Sequence, residues 1–138
     1  METKILIIAI VQKGNQVLLR KKPDGSPPYK ETWYLFGGEL LAGSNPEEIL
    51  QETLKKQADI NIKLVKELGW DTEIKNDHDG IEKMFVYLDT LCEYVDGELS
   101  PAPEIEKLEW VEIDKLKDYD LVPPSIKLFS KLGYIKVS

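Results

Sequence analysis

One helix with both ends marked stands among runs that read as strands, and that contrast limits the fold more than any other feature. In SNPEEILQETLKKQADI, Asn45 can cap the helix, Pro46 suits its first position and Glu48 can close a capping box. Ile49, Leu50, Leu54 and Ala58 recur at helical spacing as one apolar stripe, and Asp59 tolerates the left-handed backbone that ends a helix. Upstream, KILIIAIVQKGNQVLLRKK reads as two strands around a tight turn at KGNQ, with Ile5 to Val11 apolar enough for a central strand buried on both faces. PDGSPPYKET reads as a Pro- and Gly-rich loop. Downstream, INIKLVKELGWDTEI reads as one or two strands, KMFVYLDTLCEYV as another and LEWVEI as a short one. DKLKDY, from Asp114, reads as a short helix, and PPSIKLFSKLGY as a final helix with Gly133 just past its end. One helix early in a mostly β chain and another at its end predict an α/β (α+β) architecture, a sandwich of helices around a central mixed β-sheet, with residues 1–138 forming a single domain.

Charge and composition narrow the function. The net charge of -7 argues against a nucleic-acid polymer as partner, since that calls for a basic patch. It also means that a phosphate ligand would need a local positive centre: a metal ion, a helix N-terminus or a few Lys and Arg side chains. The single cysteine, Cys92, lies in an apolar run and reads as a buried hydrophobe, while the single histidine, His78, lies in the polar stretch NDHDG. A Cys-His catalytic pair and a His/Cys zinc site are therefore not expected. No stretch has a signal peptide's pattern or membrane-spanning length, so no membrane contact and a cytoplasmic location are expected.

The segment FGGELLAGSNPEEILQETLKKQADI, its approach WYLFGG and the closing PAPEIEKLEWVEIDKL together resemble the Nudix superfamily. That family's signature is G-x5-E-x7-R-E-U-x-E-E-x-G-U, where U is a bulky aliphatic residue. The resemblance runs from Lys4 to about Tyr134 and implies a Nudix-type α/β/α sandwich of MutT-like fold. In the ungapped register Gly38 takes the first Gly, Leu54 the first U and Ile60 the last, so the structural positions fit. The chemical positions differ. Ser44 stands at the first Glu, Glu52-Thr53 at the Arg-Glu pair, Lys56-Gln57 at the Glu-Glu pair and Asp59 at the last Gly. A one-residue slip would put Glu52 on a glutamate position but move Leu54, Ala58 and Ile60 off the apolar ones.

The family's three helical glutamates share one helix face and hold Mg²⁺, usually with a carbonyl of the Gly-Gly turn. Here that face reads Thr53, Lys56, Gln57, which changes the local charge by roughly four units and opposes a hard dication. The resemblance thus implies a degenerate box and a protein that binds a nucleotide-like ligand, with pyrophosphohydrolase activity weak or absent and no cofactor. One alternative is an active hydrolase using Mg or Mn through acids outside the usual positions. A protein-protein interaction scaffold is another. Candidate ligand-binding residues are Arg20, Lys22, Gly37, Gly38 and Lys56, with Lys56 placed to pair with phosphate oxygens in place of a metal. Candidate catalytic residues are Glu52 and Glu104; Gly37, Glu52 and Glu104 would be the metal ligands if a metal binds. Glu39, Glu82 and Glu106 are further acids expected near the cleft, Tyr29 and Trp70 are candidates to stack on a base, and Trp33 and Trp110 are expected in the core. The expected partner is a small phosphate-containing ligand, and homodimers are common among such domains.

Overall fold

A computed structural model describes residues 1–23 and 29–136. Most of the predicted PDGSPPYKET loop, from Asp24 to Pro28, lies outside the described residues. The elements in order are β1 (Thr3–Lys13), β2 (Gln16–Lys21), β3 (Trp33–Tyr34), β4 (Phe36–Glu39), α1 (Pro46–Ala58), β5 (Asn61–Asn76), β6 (Glu82–Asp96), β7 (Lys107–Glu112), a short 3-10 helix (Ile113–Asp118) and α2 (Pro123–Lys131).

The strands form one mixed sheet. β1 runs parallel to β6 along one edge, from Thr3 opposite Met84 to Gln12 opposite Glu93. Its other edge is shared: the hairpin with β2 occupies Gln12 and Lys13, and β4 occupies Leu6 to Ala9. β2 in turn carries β7 along one edge and β3 at Arg20 and Lys21 on the other. The hairpin strands therefore splay apart beyond their turn, and the segment from Trp33 to Glu39 is wedged between them. β5, read from sequence as one or two strands, is a single long edge strand on β6 whose register shifts at Leu64/Lys66 and Glu67/Gly69. Such bulges bend a strand without ending it.

The two faces of the sheet bury separate cores, which is why β1 is apolar almost throughout. Ile7, Ala9 and Val11 pack with Leu18, Phe36 and the α1 stripe Leu50, Leu54 and Ala58. Ile10 faces the other way and packs with Val17, Leu19, Trp33, Leu116 and the α2 residues Leu128 and Phe129. Alternating side chains on one strand can serve two layers only if helices cover both faces. Trp33 is buried as expected; Trp110 is half-buried against the first core. Cys92 is fully buried in that same core, and burial raises its thiol pKa to about 11, so it packs as a hydrophobe.

The sequence signals at the helix ends are realised. The Glu48 N–H donates to Asn45 Oδ1 at 3.1 Å, Pro46 opens α1, and Asp59 closes it at φ 57° with its N–H on the Lys55 carbonyl. The short helix after β7 is of the 3-10 type and begins at Ile113, one residue before the Asp114 start expected.

Candidate functional site

The wedge between β1 and β2 opens a cavity of about 500 Å³ on the α2 side of the sheet. Its floor is made by inward residues of adjacent strands: Leu6 and Ile8 on β1, Phe85, Tyr87 and Asp89 on β6, and Asp71, Glu73 and Lys75 on β5. Its sides are Arg20, Lys22 and Tyr34 next to the Phe36–Gly38 segment, and Val122 to Ser125 at the start of α2 closes one end.

The Gly37–Gly38 pair is where the backbone must be bare. A Cβ on Gly38 would lie 2.6 Å from Ile49 Cγ2 and 3.1 Å from Thr53 Oγ1, so glycine lets α1 close on β4. A Cβ on Gly37 would meet Ile8 Cδ1 at 2.9 Å and the Ile7 carbonyl oxygen at 3.0 Å.

Three cations gather around aromatic faces on one side of the cavity. Arg20 donates through Nε to the Leu35 carbonyl at 2.8 Å and lies 5.4 Å from the Tyr34 ring centre. Lys22 sits 4.5 Å over the same ring. Lys75 lies 4.4 Å from the Tyr29 ring centre and 4.6 Å from that of Phe85, and donates to the Tyr29 and Tyr87 hydroxyls at 2.7 and 3.0 Å. Glu73 anchors this group, accepting from the Tyr29 and Tyr87 hydroxyls and pairing with Lys75 at 3.3 Å. Arg20 and Lys22 have no such counter-ion within salt-bridge distance among the described residues. Desolvation by burial lowers Arg20 to about 10; for Lys22, desolvation first and then repulsion from Arg20 and Lys75 lower it to about 8. The Tyr34 hydroxyl between them is buried and has no hydrogen-bond partner among the described residues. An electropositive corner with an unused hydroxyl is suited to an anion.

The sequence candidates divide. Arg20, Lys22, Gly37, Gly38, Glu39 and Tyr29 line the cavity. Lys56, Glu52 and Glu104 do not; all three are exposed. The reason lies in α1, whose Leu50, Leu54 and Ala58 stripe faces the sheet and leaves positions 52 and 56 on the outer side. Glu104 keeps one link to the site, a charge that acts on Arg20 through space. Glu82 and Glu106 also lie outside the lining, and Trp70, at 75% exposed, sits on the outer face of β5. His78 reaches the cavity mouth on the α2 side, whereas Cys92 belongs to the core beneath α1, so the two do not meet.

On the helix face, Thr53 turns its hydroxyl back onto the Ile49 carbonyl at 2.8 Å, and the buried Gln57 Oε1 has no partner among the described residues. A magnesium ion needs several anionic oxygens. No group of three or more His, Cys, Asp or Glu side chains among the described residues is placed to hold a metal ion. The donor set at this face does not fit a hard dication.

Sequence reasoning missed Tyr34, Glu73, Lys75, Tyr87 and Asp89. The last left a signal: a single acid, in the same alternating phase as Phe85 and Tyr87, within an otherwise apolar part of β6. No helix among the described residues is long and apolar enough to cross a membrane.

Comparison with known proteins places this geometry. A nucleoside triphosphatase NudI from Escherichia fergusonii is 24% identical over 141 residues, covering 98% of this chain and 100% of that protein. The same enzyme name is carried by a Klebsiella pneumoniae protein, also 24% identical over 141 residues. The crystal structure of a MutT NUDIX hydrolase from Burkholderia pseudomallei superposes with a TM-score of 0.72 at 18% identity, over 96% of this chain and 99% of that one. The solution structure of the E. coli ORF135 protein gives a TM-score of 0.72 at 19% identity, over 96% and 90% of the two chains. The family model described as NUDIX domain matches residues 2–132, nearly the whole length described, and with the sheet and helices above it shows that this chain belongs to the Nudix family.

Proposed function

We propose that this Nudix protein binds a nucleotide-like ligand, a nucleoside diphosphate derivative, in the cavity, and that its pyrophosphohydrolase activity is weak or absent. The observation that carries the binding is the pair Arg20 and Lys22, half-buried, without counter-ions among the described residues, beside the unpartnered Tyr34 hydroxyl. Two desolvated cations repel each other until an anion joins them, and a phosphate oxygen would relieve that repulsion. Gly37 and Gly38 line the same cavity. Weak hydrolysis is the expectation from Thr53, Lys56 and Gln57, side chains that supply no carboxylate to hold a metal or activate a water. Homodimerisation and a cytoplasmic location accompany this reading as proposals.

A second reading has one observation in its favour. The full-length relatives carry the name nucleoside triphosphatase. On that reading, acids in the cavity such as Glu39 would take over the work of the helix face.

Calorimetry with inorganic pyrophosphate and UDP in the presence of a chelator separates the two. Metal-free binding that falls at least tenfold in Lys22→Gln supports the proposal, a loss of about 1.4 kcal/mol. Binding and phosphate release that appear only when Mg²⁺ is restored support the hydrolase and overturn it.

A further inference from the structure

We infer that Asp89 reads the base of the bound nucleotide, accepting two adjacent N–H donors from a guanine-type edge. This rests on the nucleotide-binding proposal above and adds the base that the cavity selects.

The observation is a carboxylate in an unusual place. Asp89 is 5% exposed, and no hydrogen bond reaches its carboxylate among the described residues. The other buried charged residue among those described is fully engaged: Lys83, 4% exposed, holds Asp77 and Asp79 at 2.9 Å each. Asp89 lines the cavity without a protein donor among the described residues, so its accepting capacity is left for a ligand that supplies donors. The charges facing Asp89 do not supply them. Asp71 on β5 is itself an acid, paired with Lys127 at 2.8 Å, and Lys131 on α2 donates to the Trp70 carbonyl at 3.2 Å. Burial pushes the Asp89 carboxyl up to about 6, so it is still mostly ionised at pH 7.5.

Position favours the base end of a nucleotide. Asp89 and Gly37 flank the same β1 residue, Ile8, from opposite edges. Adjacent strands are about 4.8 Å apart, so their backbones are about 10 Å apart. Arg20 and Lys22 lie on the Gly37 side, and Lys75 packs on Phe85, four residues before Asp89 along β6. Asp89 is thus set apart from Arg20, Lys22 and Lys75 across the cavity, as a ligand with phosphates at one end and a base at the other requires.

The chemistry selects among bases. An ionised carboxylate only accepts. Guanine offers two neighbouring donors on one edge, its N1–H and its exocyclic N2 amine. Adenine and cytosine each set one amine beside a ring acceptor, and uracil sets its N–H between two carbonyls. Those acceptors would face carboxylate oxygens and be repelled.

The test is calorimetric binding of GDP, ADP, CDP, UDP and xanthosine diphosphate at pH 7.5 with a chelator, to the native chain and to Asp89→Asn. The native chain should take GDP at least tenfold tighter than the others. Asp89→Asn presents one acceptor and one donor, so it should lose the GDP preference and gain xanthosine diphosphate, whose edge has one donor and one carbonyl. That exchange is not produced by a merely structural role. Equal binding of all the bases by the native chain overturns this inference and leaves the binding proposal standing. So does an unchanged GDP preference in Asp89→Asn. No binding of any nucleotide overturns both.

Discussion

Asp89 offers a direct measure of how far the site is held against the stability of the fold. Its carboxyl is raised from 3.8 to about 6, with desolvation as the largest cause. At 1.36 kcal/mol per unit, ionised Asp89 destabilises the folded chain at neutral pH by about 3 kcal/mol. The sign follows from the direction. A raised carboxyl pKa favours the folded state fully below pH 3.8, and that advantage is lost as pH rises through about 6. Asp89→Asn removes the charge and nearly keeps the shape. Solvent at the cavity screens part of this cost, so the expected net gain is about 2 kcal/mol at pH 7.5. Against a total stability of roughly 5–15 kcal/mol this is large. Urea unfolding of both proteins at pH 7.5 and at pH 3.5 checks it, read as a shift in midpoint at constant slope. At pH 3.5 the gain should shrink to near zero, because the native Asp89 is then neutral as well. An Asn variant no more stable at pH 7.5, or a gain of the same size at both pH values, would refute the reasoning. Asp89 would then have to be hydrated or partnered in the folded state.

Other consequences follow from the same geometry. Because Lys22 titrates near 8, pyrophosphate affinity should fall as pH rises from 7 to 9, and calorimetry of Lys22→Gln should show a flatter profile with weaker binding throughout. Gly38→Ala sets a methyl 2.6 Å from Ile49 Cγ2, an overpacking that should cost about 1–3 kcal/mol in chemical denaturation. Asn45→Ala removes the α1 cap and should cost about 1 kcal/mol, seen as a lower thermal midpoint with the fold retained. In a Mn²⁺ titration the native chain should bind weakly or not at all, and the variant Thr53→Glu/Lys56→Glu/Gln57→Glu should bind; equal binding by both would mean that other acids hold the metal.

Much of the architecture was legible because it depends on local chemistry. Asn45, Pro46 and Asp59 delimit α1 through caps and backbone preferences that act within a few residues. The unbroken apolar run in β1 announced a strand covered on both faces, and the separate cores on its two sides bear that out, Ile7, Ala9 and Val11 in one and Ile10 in the other. The Gly37–Gly38 pair signalled close approach, and α1 and β1 are what approach. Arg20 and Lys22 both line the cavity, because a two-residue spacing at the end of β2 keeps them on one face.

The remaining site residues are brought together by pairings between distant segments. Lys56, Glu52 and Glu104 were singled out by their place in a pattern, yet the apolar stripe of α1 turns positions 52 and 56 outward. Glu73 meets Tyr29 and Tyr87 only because β5 pairs with β6, and Asp89 falls opposite Gly69 only because the β5 bulges set that register. By itself the sequence determined the helix ends, the two-faced strand and the family frame, since each is written in neighbouring residues or in their periodicity. The tertiary structure decided which charges face the cavity and which lack partners, because burial and counter-ions depend on strands far apart in the chain.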